Sequence, residues 1–196
     1  DEDLVVDKRL VAGKEITTSD VEQLIKETEV GKLMERMYRL FSIRQRTEKE
    51  VRDYLKRLSF KRKMSKARAS ALKEQEEISE TAIELLITKL KQKQLLNDEQ
   101  FARAWVEARR KTRKKGKIAL KSELYQKGIG RDLIEQTLEN IDEESEGILA
   151  TQALEKKIRV WKNLPKLEFK KKAYEFLMRR GFEYEVIKDV VEKVIK

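Results

Sequence analysis

The sequence predicts an all-α protein, built as three tandem three-helix, helix-turn-helix-like repeats in an elongated curved array. Three features predict it. Apolar residues recur at helical spacing through most of the 196 residues. One proline and seven glycines leave few breaks, so the breaks that exist mark element ends. A pattern of helix, glycine stop and helix also returns along the chain. Charged residues make up 42% and apolar ones 39%, which suits long helices with narrow buried stripes, and the helical spacing of the apolar residues argues against disorder for most of the chain.

Residues 1–16 stand apart. Leu4-Val5-Val6 and Arg9-Leu10-Val11 are short β-leaning runs before Gly13 and Lys14, spaced for a small N-terminal β-hairpin. An isolated hairpin is marginal in water. Helical patterning follows, with Ser19 and Glu22 at capping-box spacing ahead of Val21, Leu24 and Ile25. A second stripe runs through Leu33, Met37, Leu40 and Phe41. Thr47 and Glu50 form another predicted box before Val51, Tyr54, Leu55 and Leu58. Residues 61–77 are strongly charged and read as a solvated helical extension or a mobile connection, before Ile83, Leu86, Ile87 and Leu90 resume the period.

The repeat is clearest in Leu120, Leu124, Gly128-Ile129 and Leu133-Ile134, which match Ala173, Leu177, Gly181-Phe182 and Val186-Ile187. Val51, Leu55 and Ser59-Phe60 read as a third copy of its first half. Glycine after a helix fits because it takes the left-handed backbone at little cost. In the central unit, helices are predicted over about 98–112, 117–127 and 131–141, with Phe101, Trp105 and Ala108 facing inward. Leu154, Ile158 and Trp161 take that part in the last unit, where Pro165 opens the next helix. The expected organisation is an N-terminal segment over 1–30, then repeats over 31–95 (with the charged insertion 61–77), 96–143 and 147–196.

Net charge is +10 with a pI near 9.6, which favours a polyanionic partner such as nucleic acid or a nucleoprotein surface. The absence of cysteine excludes disulfides and thiolate metal sites, and the absence of histidine removes the commonest general base and metal ligand. There is no phosphate-binding glycine loop, metal triad or nucleophile–base arrangement, so neither cofactor nor metal is expected and an enzyme is not. No run has the length of a membrane span and no secretory signal is visible, which makes a reducing, cytoplasmic setting the expectation.

Leu96-Asn97-Asp98-Glu99-Gln100-Phe101-Ala102-Arg103-Ala104-Trp105 resembles the signature of the RecX family. Its continuation is similar too, through Arg109-Arg110, Gly116, Leu120, Glu123-Leu124 and Lys127-Gly128-Ile129. Upstream, Arg44 to Leu55 (RQRTEKEVRDYL) resembles the family's first-repeat motif, and Gly13-Lys14-Glu15-Ile16 its N-terminal region. The resemblance covers nearly the whole chain. Two departures stand: Lys117 where the family often has proline, and the length of the charged stretch 61–77, which puts the local geometry of the first repeat in doubt. The resemblance implies a cytoplasmic, monomeric regulator that lodges in the groove of an active RecA filament on single-stranded DNA. There it would suppress ATP hydrolysis and strand exchange, promote filament disassembly, and so modulate recombination and repair.

Candidate contact residues are basic. The strongest cluster is Arg109, Arg110, Lys111, Arg113, Lys114, Lys115 and Lys117, between two predicted helices, flanked by Arg103, Lys121 and Lys127. Such a loop can contact phosphates or acidic side chains without sequence specificity, or it can simply be solvated. Arg44, Arg46 and Arg52 form a second cluster, although Arg52 has the spacing to pair with Glu48 one turn earlier. Lys170, Lys171, Lys172, Arg179 and Arg180 form a third, and stacked repeats could align all three on one concave face. Phe101, Trp105, Trp161, Tyr174 and Phe182 could stack on bases, but their helical spacing favours the core. Glu143-Glu144 reads as linker or cap. The alternatives are a general DNA- or RNA-binding helical protein without a RecA partner, and an adaptor for an acidic protein.

Overall fold

The computed structural model describes residues 17–68, 78–139 and 141–195, and among these the regular structure is all α-helical. The predicted hairpin over 1–16 and the end of the charged stretch, 69–77, lie outside the described residues. Contacts divide the chain into two units, Asp1–Asn97 and Asp98–Lys196.

In the first unit, α1 spans Thr18–Ile43, α2 Glu48–Arg68 and α3 Glu80–Gln92. The first cap differs from the predicted one. Thr17 is the N-cap, its Oγ1 accepting from the Asp20 amide at 3.2 Å while Asp20 accepts from the Thr17 amide at 2.9 Å. The box sits two residues earlier because Thr17 keeps extended backbone while Ser19 is already helical. Val21 and Ile25 are exposed, so the predicted stripe starts later, at Val30, Leu33, Met34 and Met37. These pack with Val51, Leu55, Ile83, Leu86, Ile87 and Leu90, the last four forming one apolar face of α3. Each fully buried aliphatic side chain stabilises by about 1.5–3 kcal/mol relative to exposure. The Glu50 amide donates to Thr47 Oγ1 at 3.2 Å, as the second predicted cap requires.

The third copy of the repeat breaks down at Ser59-Phe60. The α2 helix runs through this pair, and Phe60 is 64% exposed. No glycine is present there to take the left-handed turn, so nothing stops the helix.

The second unit carries α4 (Asp98–Arg113), α5 (Lys117–Gln126), α6 (Arg131–Leu138), α7 (Glu143–Trp161), α8 (Lys166–Arg180) and α9 (Tyr184–Ile195). Two cores form. Phe101, Ala102, Val106, Leu120, Leu124, Ile129, Ile134 and Leu138 fill one; Leu149, Ala150, Leu154, Phe169, Ala173, Leu177, Phe182, Val186 and Ile187 belong to the other. Val106 takes the inner position expected of Ala108, which is exposed. Trp105 is half-buried, stacked on Phe101 at 5.5 Å between ring centres.

Gly128 and Gly181 have φ of 82° and 80°, the left-handed turn predicted for both repeats. At each, the following apolar residue, Ile129 or Phe182, donates its amide back to Leu124 or Leu177 (3.1 and 3.3 Å). Pro165 is the N-cap of α8 rather than its first helical residue, its carbonyl accepting from Phe169 at 2.9 Å. Glu143 and Glu144 form the first turn of α7, where negative charge complements the helix dipole, and Asp142 caps it. The Ser145 amide donates to Asp142 at 2.7 Å, and this bond lowers the Asp142 pKa.

Candidate nucleic-acid and partner interface

The α4–α5 loop of the second unit meets the C-terminus of α8. The N-cap of α5 is Gly116, which offers no side chain to cap the helix, so its first amides find partners elsewhere. Gly116 N–H donates to the Arg180 carbonyl at 2.9 Å, and Ile118 N–H to the Gly181 carbonyl at 3.0 Å. Lys117 N–H donates to Glu146 Oε2 at 3.1 Å. Thus the carbonyl end of α8 and a carboxylate of α7 both face the positive end of α5. Glu146 is only 3% exposed and also accepts from Arg110, whose other guanidinium nitrogen donates to Ser145 Oγ at 3.2 Å. Arg180 donates from its guanidinium to the Arg113 carbonyl and lies 4.8 Å from the Phe176 ring centre. Burial lowers its pKa below the ordinary arginine value.

The backbones approach so closely that two glycines are required. A Cβ on Gly116 would lie 2.7 Å from the Phe182 amide nitrogen, and one on Gly181 2.7 Å from the Ala119 Cα.

A second network ties α4 to α5. Glu123 Oε2 accepts from Arg109 at 2.7 Å and from the Trp105 indole at 3.0 Å, while Lys115 approaches Oε1 at 3.7 Å. Arg109 lies over the Trp105 ring at 3.9 Å and Lys127 at 4.9 Å. Burial would raise the Glu123 pKa, but the bonds from Arg109 and Trp105 outweigh it and hold it below the usual carboxylate value.

In the first unit, Arg52 bridges Glu48 on its own helix (2.7 Å) and Glu84 on α3 (3.0 Å), and Lys91 reaches Glu48 at 2.6 Å. The Glu84 and Glu48 bonds raise the Arg52 pKa above its ordinary value. Arg44 pairs with Glu50 at 2.8 Å, and Arg46 reaches the Leu40 carbonyl at 3.5 Å.

The predicted basic residues therefore divide by role. Arg44, Arg52, Arg109, Arg110 and Arg180 hold helices and loops together through carboxylates or carbonyls. Arg103 pairs with Glu99 at 2.6 Å on an exposed face, Lys121 with Glu135 at 3.6 Å, and Lys172 with Glu168 at 2.9 Å. Lys170 lies 5.8 Å from the Tyr174 ring. Lys111, Arg113, Lys114, Lys171 and Arg179 have no side-chain ion-pair partner among the described residues, and Lys111, Arg113, Lys171 and Arg179 are exposed. Lys114 turns the loop with a φ of 49°. The Gly116–Arg180 and Arg180–Arg113 bonds bring the loop backbone against Arg180, the sequence neighbour of Arg179, across more than sixty positions in sequence.

Sequence reasoning did not single out Glu146. Its carboxylate stood among Asp142, Glu143, Glu144 and Glu146, and nothing in local spacing marked the one that turns inward.

Fold and site together define a basic protein assembled from three-helix domains, with a polar seam joining two of them. Residues 97–138 match the second three-helix domain of RecX and residues 149–191 the third. The chain is 31% identical over 194 residues to the regulatory protein RecX of Bacillus subtilis (strain 168), covering 99% of this chain and 67% of that protein. For the RecX of Bacillus pumilus the identity is 32% over 193 residues, covering 98% and 66%. For Clostridium perfringens (strain SM101) it is 28%, covering 99% and 83%. The chain thus spans about two thirds of the length of these Bacillus relatives. It belongs to the RecX family of regulatory proteins. Two crystal structures share its fold: a regulatory protein RecX (TM-score 0.78, 24% identity, 97% of this chain and 87% of that one) and RecX from Lactobacillus salivarius (0.70, 23%, 86% and 97%). Among the described residues no helix is long and apolar enough to cross a membrane.

Proposed function

We propose that the chain binds the RecA filament on single-stranded DNA and inhibits its ATP hydrolysis and strand exchange, modulating recombination and repair without catalysing a reaction itself. It acts as a cytoplasmic monomer. The observation that carries this reading is the joint between the second and third domains, where Gly116 and Arg113 bond Arg180 and the unpaired Lys111, Arg113, Lys114 and Arg179 flank those contacts in sequence. Cations left without carboxylates beside a rigid seam form a preorganised surface for a polyanion. No internal ion pair has to break before they meet it.

The reading as a general helix-turn-helix DNA binder is weakened by the same geometry. The α5 N-terminus, which would receive a phosphate in such a protein, already has its first amides engaged by Glu146 and by α8 carbonyls.

The test is DNA-dependent ATP hydrolysis by RecA with and without the protein. The rate is expected to fall, and an unchanged rate with folded protein rejects the reading. Phosphate contacts add a salt dependence whose log–log slope is roughly −0.7 per contact on single strands.

A further inference from the structure

On the opposite end of α8 from the basic seam lies a shallow groove of about 780 Å³, bounded by Pro165, Leu167, Lys170, Lys171, Tyr174 and Tyr184. Its wall is mostly apolar. Leu167, in the first turn of α8, is 83% exposed, and Tyr184, which opens α9, is 61% exposed. An aliphatic side chain so fully in water has no part in the third-domain core, which Phe169, Ala173 and Leu177 already serve from the same helix. The tyrosine rings lie 6.0 Å apart and tilted by 55°, giving an apolar corner rather than two parallel plates.

The charge around this corner is uneven. Lys166, Lys170 and Lys171 are exposed at the α8 edge without carboxylate partners, while Glu168 in the same wall is engaged by Lys172 at 2.9 Å. Glu185 and Asp189 of α9 line a separate groove against α7, with Glu143 and Glu144, so the lysines dominate the charge at this one.

We infer that this groove docks a protein segment carrying a large apolar anchor beside acidic residues, the anchor lying against Leu167, Tyr174 and Tyr184 and the acids facing Lys170 and Lys171. Charge and apolar complementarity together select this occupant over nucleic acid. A polyphosphate chain could pair with the lysines but would leave the exposed Leu167 and the two tyrosines without an apolar partner. A peptide can place its carboxylates at the lysine edge and lay an apolar side chain against Leu167 and the tyrosines. The tilted ring pair also leaves no slot for a base between two aromatic faces, whereas an aliphatic or aromatic side chain fits a corner. The inference is independent of contact at the seam, and it holds or fails without regard to any effect on RecA.

The experiment is a titration of isotope-labelled full chain, followed by amide and methyl NMR shifts. The probes are a short synthetic peptide with a Leu-Phe anchor flanked on one side by aspartates, the same peptide with lysines for aspartates, and oligo-dT. Saturable shifts at Leu167, Lys171, Tyr174 and Tyr184 are expected with the acidic peptide alone. In Leu167→Asp and in Lys170→Glu/Lys171→Glu, both exposed changes, affinity should fall at least tenfold. Lys111→Glu/Arg179→Glu, at the seam, should leave it unchanged. Absence of shifts with the acidic peptide, equal response to the basic peptide, or stronger response of the same groove residues to oligo-dT would each overturn the proposal.

Discussion

Glu146 shows how one side chain can fix the joint between two domains. It satisfies the first amide of α5 and the guanidinium of Arg110 at once, and it is nearly inaccessible. Removing it strands a half-buried cation and an amide, and breaking such a buried pair from one side costs about 3 kcal/mol. Glu146→Ala is therefore expected to lower the unfolding free energy by about 2–4 kcal/mol in urea titration. A cycle with Arg110→Ala should show a coupling above about 1 kcal/mol, as interacting neighbours do. Gly181→Ala is expected to cost at least about 1 kcal/mol from its left-handed backbone alone, and more because the approach to Ala119 must widen. The seam also revises the meaning of Arg109 and Arg110. Both were expected contact residues, yet both hold carboxylates within the unit, so reversing their charge tests folding before it tests binding.

At the scale of elements, helix pairs are tied by carboxylates under arginines. Glu48 joins α2 to α3 through Arg52 and Lys91; burial opposes its charge, but the bonds from Lys91 and Arg52 leave its pKa below the ordinary 4.5. Glu123 joins α4 to α5 in the same way. A depressed carboxylate stabilises fully above its unfolded pKa and loses that contribution as pH falls through the folded value. Stability is thus expected to decline as pH drops from about 4.5 downward. Glu123→Gln should flatten that decline in urea midpoints measured between neutral and acid pH. Helix α7 offers the reverse case. Gly147 lies inside it, and an added Cβ meets nothing within 4 Å, so Gly147→Ala should stabilise by about 0.5–1 kcal/mol.

For the molecule as a whole, the excess of +10 counts only where it is left free. Much of the basic face predicted from sequence is consumed internally; of the free remainder in the second unit, Lys111, Arg113, Lys114 and Arg179 flank the seam, and Lys170 and Lys171 line the α8 groove. Lys111→Glu/Lys114→Glu/Arg179→Glu should relieve inhibition of RecA-dependent ATP hydrolysis at least tenfold in the concentration needed, with an unchanged thermal midpoint. A lost fold in that variant, or full inhibition despite it, would contradict the assignment.

The helical class, the two glycine-stopped repeats and the third apolar face of Ile83 to Leu90 were legible because local rules govern them. A 3.6-residue period and a left-handed turn leave their mark in neighbouring residues. The cap at Thr17 and the repeat stop at Ser59-Phe60 were misread, although both are local, because hydroxyl spacing and apolar matches were weighed above the missing glycine. Helix α2 instead continues to Arg68, as the helical-extension reading of the charged stretch allows. Which cations stay free could not be read in this way. Arg110 and Glu146 are 36 positions apart, and Arg180 and Arg113 are 67 apart. Charge by itself therefore only favours an anionic partner, while tertiary packing decided which cations stay free of internal ion pairs. The physical reason is that a carboxylate neutralises whichever cation the fold brings within about 4 Å, regardless of their separation along the chain.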